Sequence, residues 1–249
     1  AELTTVTRET VVTEPAAAVA PAAAAAPGRI QAPSRPKVEP AAEPQRLASS
    51  LGEIGVERAA ERLIAGGAAR AIFVSPEGDE AAATSVLVAR EVADAGLRVL
   101  LLDLTSSGAA SKPMLDGAVK RGITDLLASE AQFSDVIHAD FYSDCHVIPL
   151  GTANPARAMR AVDRLPLIMN SLTTAYDVVV VECGPTDPEG IRRLVGDGTE
   201  VLVSVLEPSD AAIAETAAAL EAGGYGKPIL VTPVGYQPPY TPMPGRRAA

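Results

Sequence analysis

Strands alternating with helices along most of the chain predict an α/β protein: a doubly wound, mostly parallel sheet covered by helices on both faces, in three α/β/α layers. Three observations carry that expectation. Short apolar runs recur between stretches of helical periodicity. One of them, Tyr176-Asp177-Val178-Val179-Val180-Val181, is apolar on both faces, as strands at the buried centre of a parallel sheet are. With 249 residues, 47% of them hydrophobic, the chain is also long enough to bury one sizeable core or two small ones.

The first 50 residues stand apart. They are mainly Thr, Glu, Ala and Pro, and prolines 15, 21, 27, 33, 36, 40 and 44 interrupt any long helix. Too few large apolar side chains are present to offset the entropy of ordering, so residues 1–50 read as a disordered, semi-stiff Ala/Pro-rich linker, with the alanine run at 22–26 as the one place of helix propensity. Order is expected from residue 51. Val56, Ala59, Ala60, Leu63 and Ile64 share one face of a helix, Glu57, Arg58, Glu61 and Arg62 the other, and Gly66-Gly67 stops it. Ala71-Ile72-Phe73-Val74 reads as the first strand, 81–95 as a helix ended by Gly96, and 98–103 as the second strand. Helical patterns at 124–128 and 135–137 lead to a strand at 145–150. A helix over 155–174 opens with Pro155, which suits a first turn. The strand at 176–181, a helix at 189–195, a strand at 200–205, a helix at 210–222 and a strand at 228–232 complete a folded part running from 51 to 234. Residues 235–249 are Pro-rich and aperiodic, and read as a flexible tail.

Composition excludes several classes of function. With 31 Asp+Glu against 21 Lys+Arg, the formal charge of -10 repels a phosphate backbone, and nucleic acid is not an expected partner. Aromatic residues at 3%, with no Trp, leave nothing for a base- or sugar-stacking platform. Cys145 and Cys183, like His138 and His146, lack metal-ligand spacing and are expected to pack or face solvent; no metal site is expected. No apolar run approaches the ~20 residues that cross a bilayer, and no signal sequence is visible. A start at Ala1 without Met suggests a processed chain or part of a larger one.

In sheets of this kind ligands bind beyond the carboxyl ends of the strands, and a strand-loop-helix unit is how nucleotide-binding proteins cradle phosphate. Here the loop after the first strand reads Ser75-Pro76-Glu77-Gly78-Asp79-Glu80, followed by Ala81-Ala82. Further on come Gly96-Leu97-Arg98-Val99-Leu100-Leu101-Leu102-Asp103, then Gly122-Ile123-Thr124-Asp125-Leu126-Leu127-Ala128, then His146-Val147-Ile148-Pro149-Leu150-Gly151 with Asn154-Pro155, and finally Tyr176 to Val181 continued by Glu182-Cys183-Gly184-Pro185. Those four landmarks, in that order, resemble the bacterial tyrosine kinase (BY-kinase) domains of the polysaccharide co-polymerase family, relatives of the MinD/ParA ATPases. The likeness covers residues 51–233 and implies a P-loop NTPase-like fold.

Against that family the chain departs where chemistry is done. Ala81 stands where the resemblance places a phosphate-binding lysine, and Ala82 where it places a magnesium-binding Ser or Thr. The family's paired acids become Asp103-Leu104-Thr105, and the Walker B aspartate becomes Glu182, longer by a methylene and ill-suited to tight magnesium geometry. Glu182 has Arg192 or Arg193 as alternative partners, and Asp103 has a turn-forming role as its alternative. Gly78 marks a positive φ. The family's tyrosine cluster is reduced to Tyr225, Tyr236 and Tyr240, of which Tyr236 and Tyr240 are candidate phosphate acceptors, and the Glu-x-x-Arg-x-x-Arg ring motif is missing from the first helix. Glu77, Asp79 and Glu80 crowd the helix N-terminus and satisfy its dipole themselves. Each carboxylate within ~4 Å of a phosphate charge costs about 1 kcal/mol in water and about 4 at a protein surface. Without cations to offset this, no catalytic residue is expected, the loop is vestigial, and neither ATP nor magnesium is expected to bind.

The resemblance therefore implies a pseudokinase: a non-catalytic regulatory domain of an exopolysaccharide chain-length or export system at the cytoplasmic face of the inner membrane. Its implied partners are a membrane-spanning co-polymerase part, assembly proteins or further copies of itself. Two alternatives stand beside it. One is an unconventional ATPase or tyrosine autokinase that holds ATP and a displaced magnesium ion with Asp103 and Glu182. The other is a degenerate MinD/ParA-like positioning protein.

Overall fold

The computed structural model describes residues 52–207 and 211–237. The linker at 1–50, Tyr240 and the tail from 238 lie outside them. A short strand, β1 (Glu53–Gly55), leads into α1 (Val56–Gly66), which buries Val56, Ala59, Ala60 and Leu63 as its periodicity requires. Gly67, at φ 61°, ends the helix by turning its N–H back to the carbonyls of Ile64 and Leu63. Then follow β2 (Arg70–Val74), α2 (Asp79–Asp94) and β3 (Val99–Asp103). The middle of the chain holds α3 (Ile123–Leu127), α4 (Phe133–Val136), β4 (His138–Ala139), β5 (His146–Ile148) and α5 (Pro155–Met159). A 3-10 turn (Val162–Arg164) precedes α6 (Leu165–Ala175), and β6 (Val178–Glu182), α7 (Pro188–Ile191), β7 (Thr199–Ser204), α8 (Ala211–Ala222) and β8 (Ile229–Thr232) complete the order.

The strands form one sheet in the order β1-β8-β7-β2-β6-β3-β5-β4, parallel except where β4 turns back on β5. Alternation along the central strands sends one set of side chains to each face. Ile72, Val74, Leu100, Leu102, Val179 and Val181 pack under α3, α6, α7 and α8. Ala71, Phe73, Leu101, Val178 and Val180 pack under α1 and α2. This is the three-layer, mostly parallel architecture that the strand-helix alternation predicts.

Three differences from the sequence expectation have local causes. At three and two residues, β1 and β4 are too short for any period to register. The single helix expected over 155–174 is instead two, because Pro166 has no N–H to donate and must sit in a first turn; α6 restarts there. Tyr236, expected in the loose tail, is half-buried against the α1–α2 core and donates its hydroxyl to Glu91 at 2.7 Å.

Two of the sequence landmarks meet as one clasp. Asp125, buried in α3, accepts hydrogen bonds from the Gly122 N–H (2.9 Å), the Thr152 N–H (2.7 Å) and the Thr152 hydroxyl (2.9 Å). Ile123 and Thr124 add N–H bonds to the carbonyls of Pro149 and Leu150. A side chain at Gly122 would put its Cβ 1.9 Å from the Pro149 carbonyl oxygen, so the approach requires glycine. Burial acts to raise the Asp125 pKa, but the hydrogen bonds from Thr152 and Gly122 outweigh it and hold the carboxyl below its usual range. A depressed carboxylate stabilises the fold above its unfolded pKa and loses that contribution as pH falls. Asp125→Asn is therefore expected to cost about 2 kcal/mol at pH 7 in urea unfolding, with the gap to the unsubstituted protein narrowing towards pH 3.

Candidate functional site

At the carboxyl ends of β2, β3, β6 and β7 the chain leaves the sheet in four loops, and residues 75–82, Asp103, Thr105 and Glu182 singled out in the sequence lie there. The loop after β2 is a tight turn: the Gly78 N–H donates to the Ser75 carbonyl at 3.0 Å, with Pro76 preset in the second position. Gly78 takes φ 86° as expected and opens α2. Asp79 and Glu80 fill the first turn of that helix, where the backbone dipole favours them. Ala81 and Ala82 are fully buried.

Glu77 does not crowd that helix end, as its neighbours suggest it should. Its carboxylate turns sideways across the loop edge and accepts the N–H groups of Leu206 and, at 2.9 Å, of Glu207, just beyond β7. One side chain thus straps the β2 loop to the β7 loop. Nothing in the sequence signals this pairing, since the partners are 129 and 130 residues away and both are backbone groups. Glu77→Ala is expected to leave the fold intact and to speed amide hydrogen exchange at Leu206 and Glu207 at least tenfold; unchanged exchange there is the contrary result.

Asp103 and Glu182 end neighbouring strands and lie directly opposite each other in the register, both fully buried. Asp103 Oδ1 accepts from the Thr105 N–H (2.9 Å) and hydroxyl (2.6 Å), and Oδ2 from the Ser111 N–H (2.7 Å). The Thr105 hydroxyl accepts in turn from the Ala109 N–H at 2.8 Å. Asp103 is the turn former of its two sequence readings, holding residues 105–111. Glu182 Oε1 accepts from the Ser75 hydroxyl (2.8 Å) and the Gly184 N–H (2.9 Å), while Oε2 has no partner among the described residues. The arginines considered as its partners are elsewhere: Arg192 pairs with Glu189 and Arg193 with Asp163.

No arginine or lysine among the described residues pairs with either buried carboxylate. Burial therefore dominates at Glu182 and raises its pKa from 4.5 to about 7, against hydrogen bonds from Ser75 and Gly184 that lower it, with Asp103 adding a smaller upward push. Burial likewise pushes the Cys183 thiol well up, with Glu182 adding to the effect. The sign for stability is the reverse of that for Asp125: the folded state holds a proton that the unfolded state releases above about pH 4.5, so this group weakens the fold as pH rises to about 7. Glu182→Gln is expected to abolish that slope in urea unfolding between pH 5 and 8. At pH 8 it should leave the protein more stable by an amount on the order of 3 kcal/mol.

A magnesium-triphosphate needs a cation at the phosphates, a hydroxyl on the metal and carboxylates with free oxygens. The residues present do not fit that group. Ala81 and Ala82 offer only buried methyl groups, and both Asp103 oxygens and one Glu182 oxygen already accept internal donors. Among the described residues no cluster of three or more His, Cys, Asp or Glu side chains is arranged to hold a metal.

No protein-family model matches this chain, and no curated protein matches it. Solved structures do. The BceF tyrosine kinase domain superposes with a TM-score of 0.55 at 21% identity, over 76% of this chain and 77% of its own. The VpsO kinase domain gives 0.54 at 16% identity, over 78% of this chain and 96% of its own. The kinase domain of the Escherichia coli tyrosine kinase ETK gives 0.53 at 18% identity, over 69% and 71%. The fold is thus that of bacterial tyrosine kinase domains, a P-loop NTPase-like α/β architecture, as the four landmarks imply. No described helix is long and apolar enough to cross a membrane.

Proposed function

We propose that this domain is a pseudokinase, a regulatory relative of bacterial tyrosine kinase domains that neither binds Mg-ATP nor transfers phosphate, and that works through contacts with partners. The observation that carries the reading is the state of the phosphate-loop end. Ala81 and Ala82 replace the polar side chains needed there, and Ser75 and Thr105 bond the buried acids Glu182 and Asp103 instead of a ligand. Two further carboxylates, Asp79 and Glu80, stand at the helix end that would meet the phosphates. At an effective dielectric of about 20, each carboxylate at ~4 Å opposes a phosphate charge by about 4 kcal/mol, and no lysine offsets it.

The resemblance to polysaccharide co-polymerase kinases supports a place in exopolysaccharide synthesis or export, at the cytoplasmic face of the inner membrane. The Ala/Pro-rich composition of residues 1–50 suits a tether between a membrane part and a folded domain. Partners of this reading are the membrane-spanning co-polymerase part, assembly proteins of the same system, or further copies of the domain.

Titration with a fluorescent ATP analogue and magnesium tests it. The expected result is no saturable binding up to millimolar nucleotide, and no phosphotyrosine after incubation with ATP. Saturable micromolar binding lost in Glu182→Gln would establish the alternative, an unconventional ATPase using the buried acids.

A further inference from the structure

The two histidines of the chain, which have no part in the site above, lie together on another part of the molecule. They line a cleft of about 550 Å³ along the edge strand β4, which adjoins a second chamber of about 280 Å³. His146, Ile137 and Asp144 line both chambers, so the two form one bipartite cleft. Arg98, Val99 and His146 place the smaller chamber at the amino ends of β3 and β5, away from the phosphate-loop end of the sheet. A volume of this size is that of a small-molecule site.

We propose that this cleft binds a small organic anion, a carboxylate or phosphate group carried on an apolar body. Leu115, Ile137 and Phe141 supply apolar walls in the larger chamber, and Phe141 is held partly exposed by its N–H bond to the Met114 carbonyl. Lys120 is the one Lys or Arg lining that chamber, and it forms no ion pair among the described residues. The acid nearest in sequence to the chamber's polar end does not cancel it. Asp140 is buried, accepts two hydrogen bonds from Arg90 at 2.8 and 2.9 Å and one from the Ser143 hydroxyl at 2.6 Å, and is neutralised by that arginine. Asp144 lines both chambers, whereas Lys120 lines the larger one alone, which is where the proposal seats the anion.

Both imidazoles are held in place by one hydrogen bond each, His138 as part of the wall and His146 with a second nitrogen left for a ligand. His138 Nε2 lies 2.9 Å from the Arg121 carbonyl oxygen; because a carbonyl only accepts, this nitrogen carries the proton. His146 Nδ1 lies 2.8 Å from the Tyr176 hydroxyl, and the two rings meet edge to face at 5.7 Å. The Tyr176 hydroxyl, a donor and an acceptor, can pair with either tautomer of the ring. In the tautomer in which that hydroxyl donates to Nδ1, the His146 proton sits on Nε2, for which no hydrogen bond is formed among the described residues, and this N–H is the donor the proposal assigns to the anion.

Because His138 and His146 are the only histidines, their imidazole proton resonances report on this cleft alone. Titration of the whole chain at pH 7 with benzoate or phenyl phosphate is expected to shift both resonances saturably at about millimolar concentration. Benzamidine, of the same shape but cationic, should not do so. Lys120→Met, at an exposed position, should keep the urea midpoint and weaken benzoate at least tenfold. Absence of saturable shifts, equal shifts with benzamidine, or undiminished binding to Lys120→Met would each overturn the proposal. A benzoate response that exceeds that of phenyl phosphate selects a carboxylate ligand, and the reverse a phosphate ester. None of these readouts involves the phosphate-loop end, so their failure leaves the pseudokinase reading standing.

Discussion

Two carboxylates, Asp103 and Glu182, are buried side by side at the carboxyl edge of a parallel sheet with no Lys or Arg among the described residues paired to them, and the arrangement of the surrounding loops follows from that constraint. Ionised groups taken out of water need partners, and here the partners are internal donors and a retained proton. Asp103 draws Thr105 and Ser111 around itself and shapes the loop after β3. Glu182 draws Ser75 and Gly184 together and fixes the loops after β2 and β6 against each other. Where a nucleotide-binding sheet spends such acids on a metal, this one uses them to tie its own loops.

The Glu77 strap belongs to the same arrangement. A carboxylate that accepts two backbone N–H groups fastens the β2 loop to the β7 loop with charge-assisted bonds. With Asp103, Glu182 and Glu77 all directed inward or sideways, the loops at the carboxyl ends of four strands hold one another. The sheet beneath them is built from two apolar layers that need no contribution from this end. This separation of core from rim is consistent with a chain below 25% identity to its structural neighbours sharing their architecture.

The phosphate-loop end and the β4–β5 edge also differ in how their polar groups are used. The loops at the carboxyl ends are closed by internal bonds, whereas the β4–β5 edge holds a cleft lined by a lysine and both histidines.

Periodicity and apolar runs by themselves determined the α/β class and the alternation of strands and helices along the chain, because each of these is a property of consecutive residues. The glycines at 67, 78 and 96 were legible for the same reason: each turn is local. Only the tertiary structure decided that Glu77 reaches Leu206 and Glu207, that Glu182 bonds Ser75 and not an arginine, and that His138 and His146 share one cleft. Those pairings join residues brought together by strand order, and strand order is set by how the two faces of the sheet are covered. A list of residue types contains no record of which distant backbone group a carboxylate will find once burial has removed water as its partner.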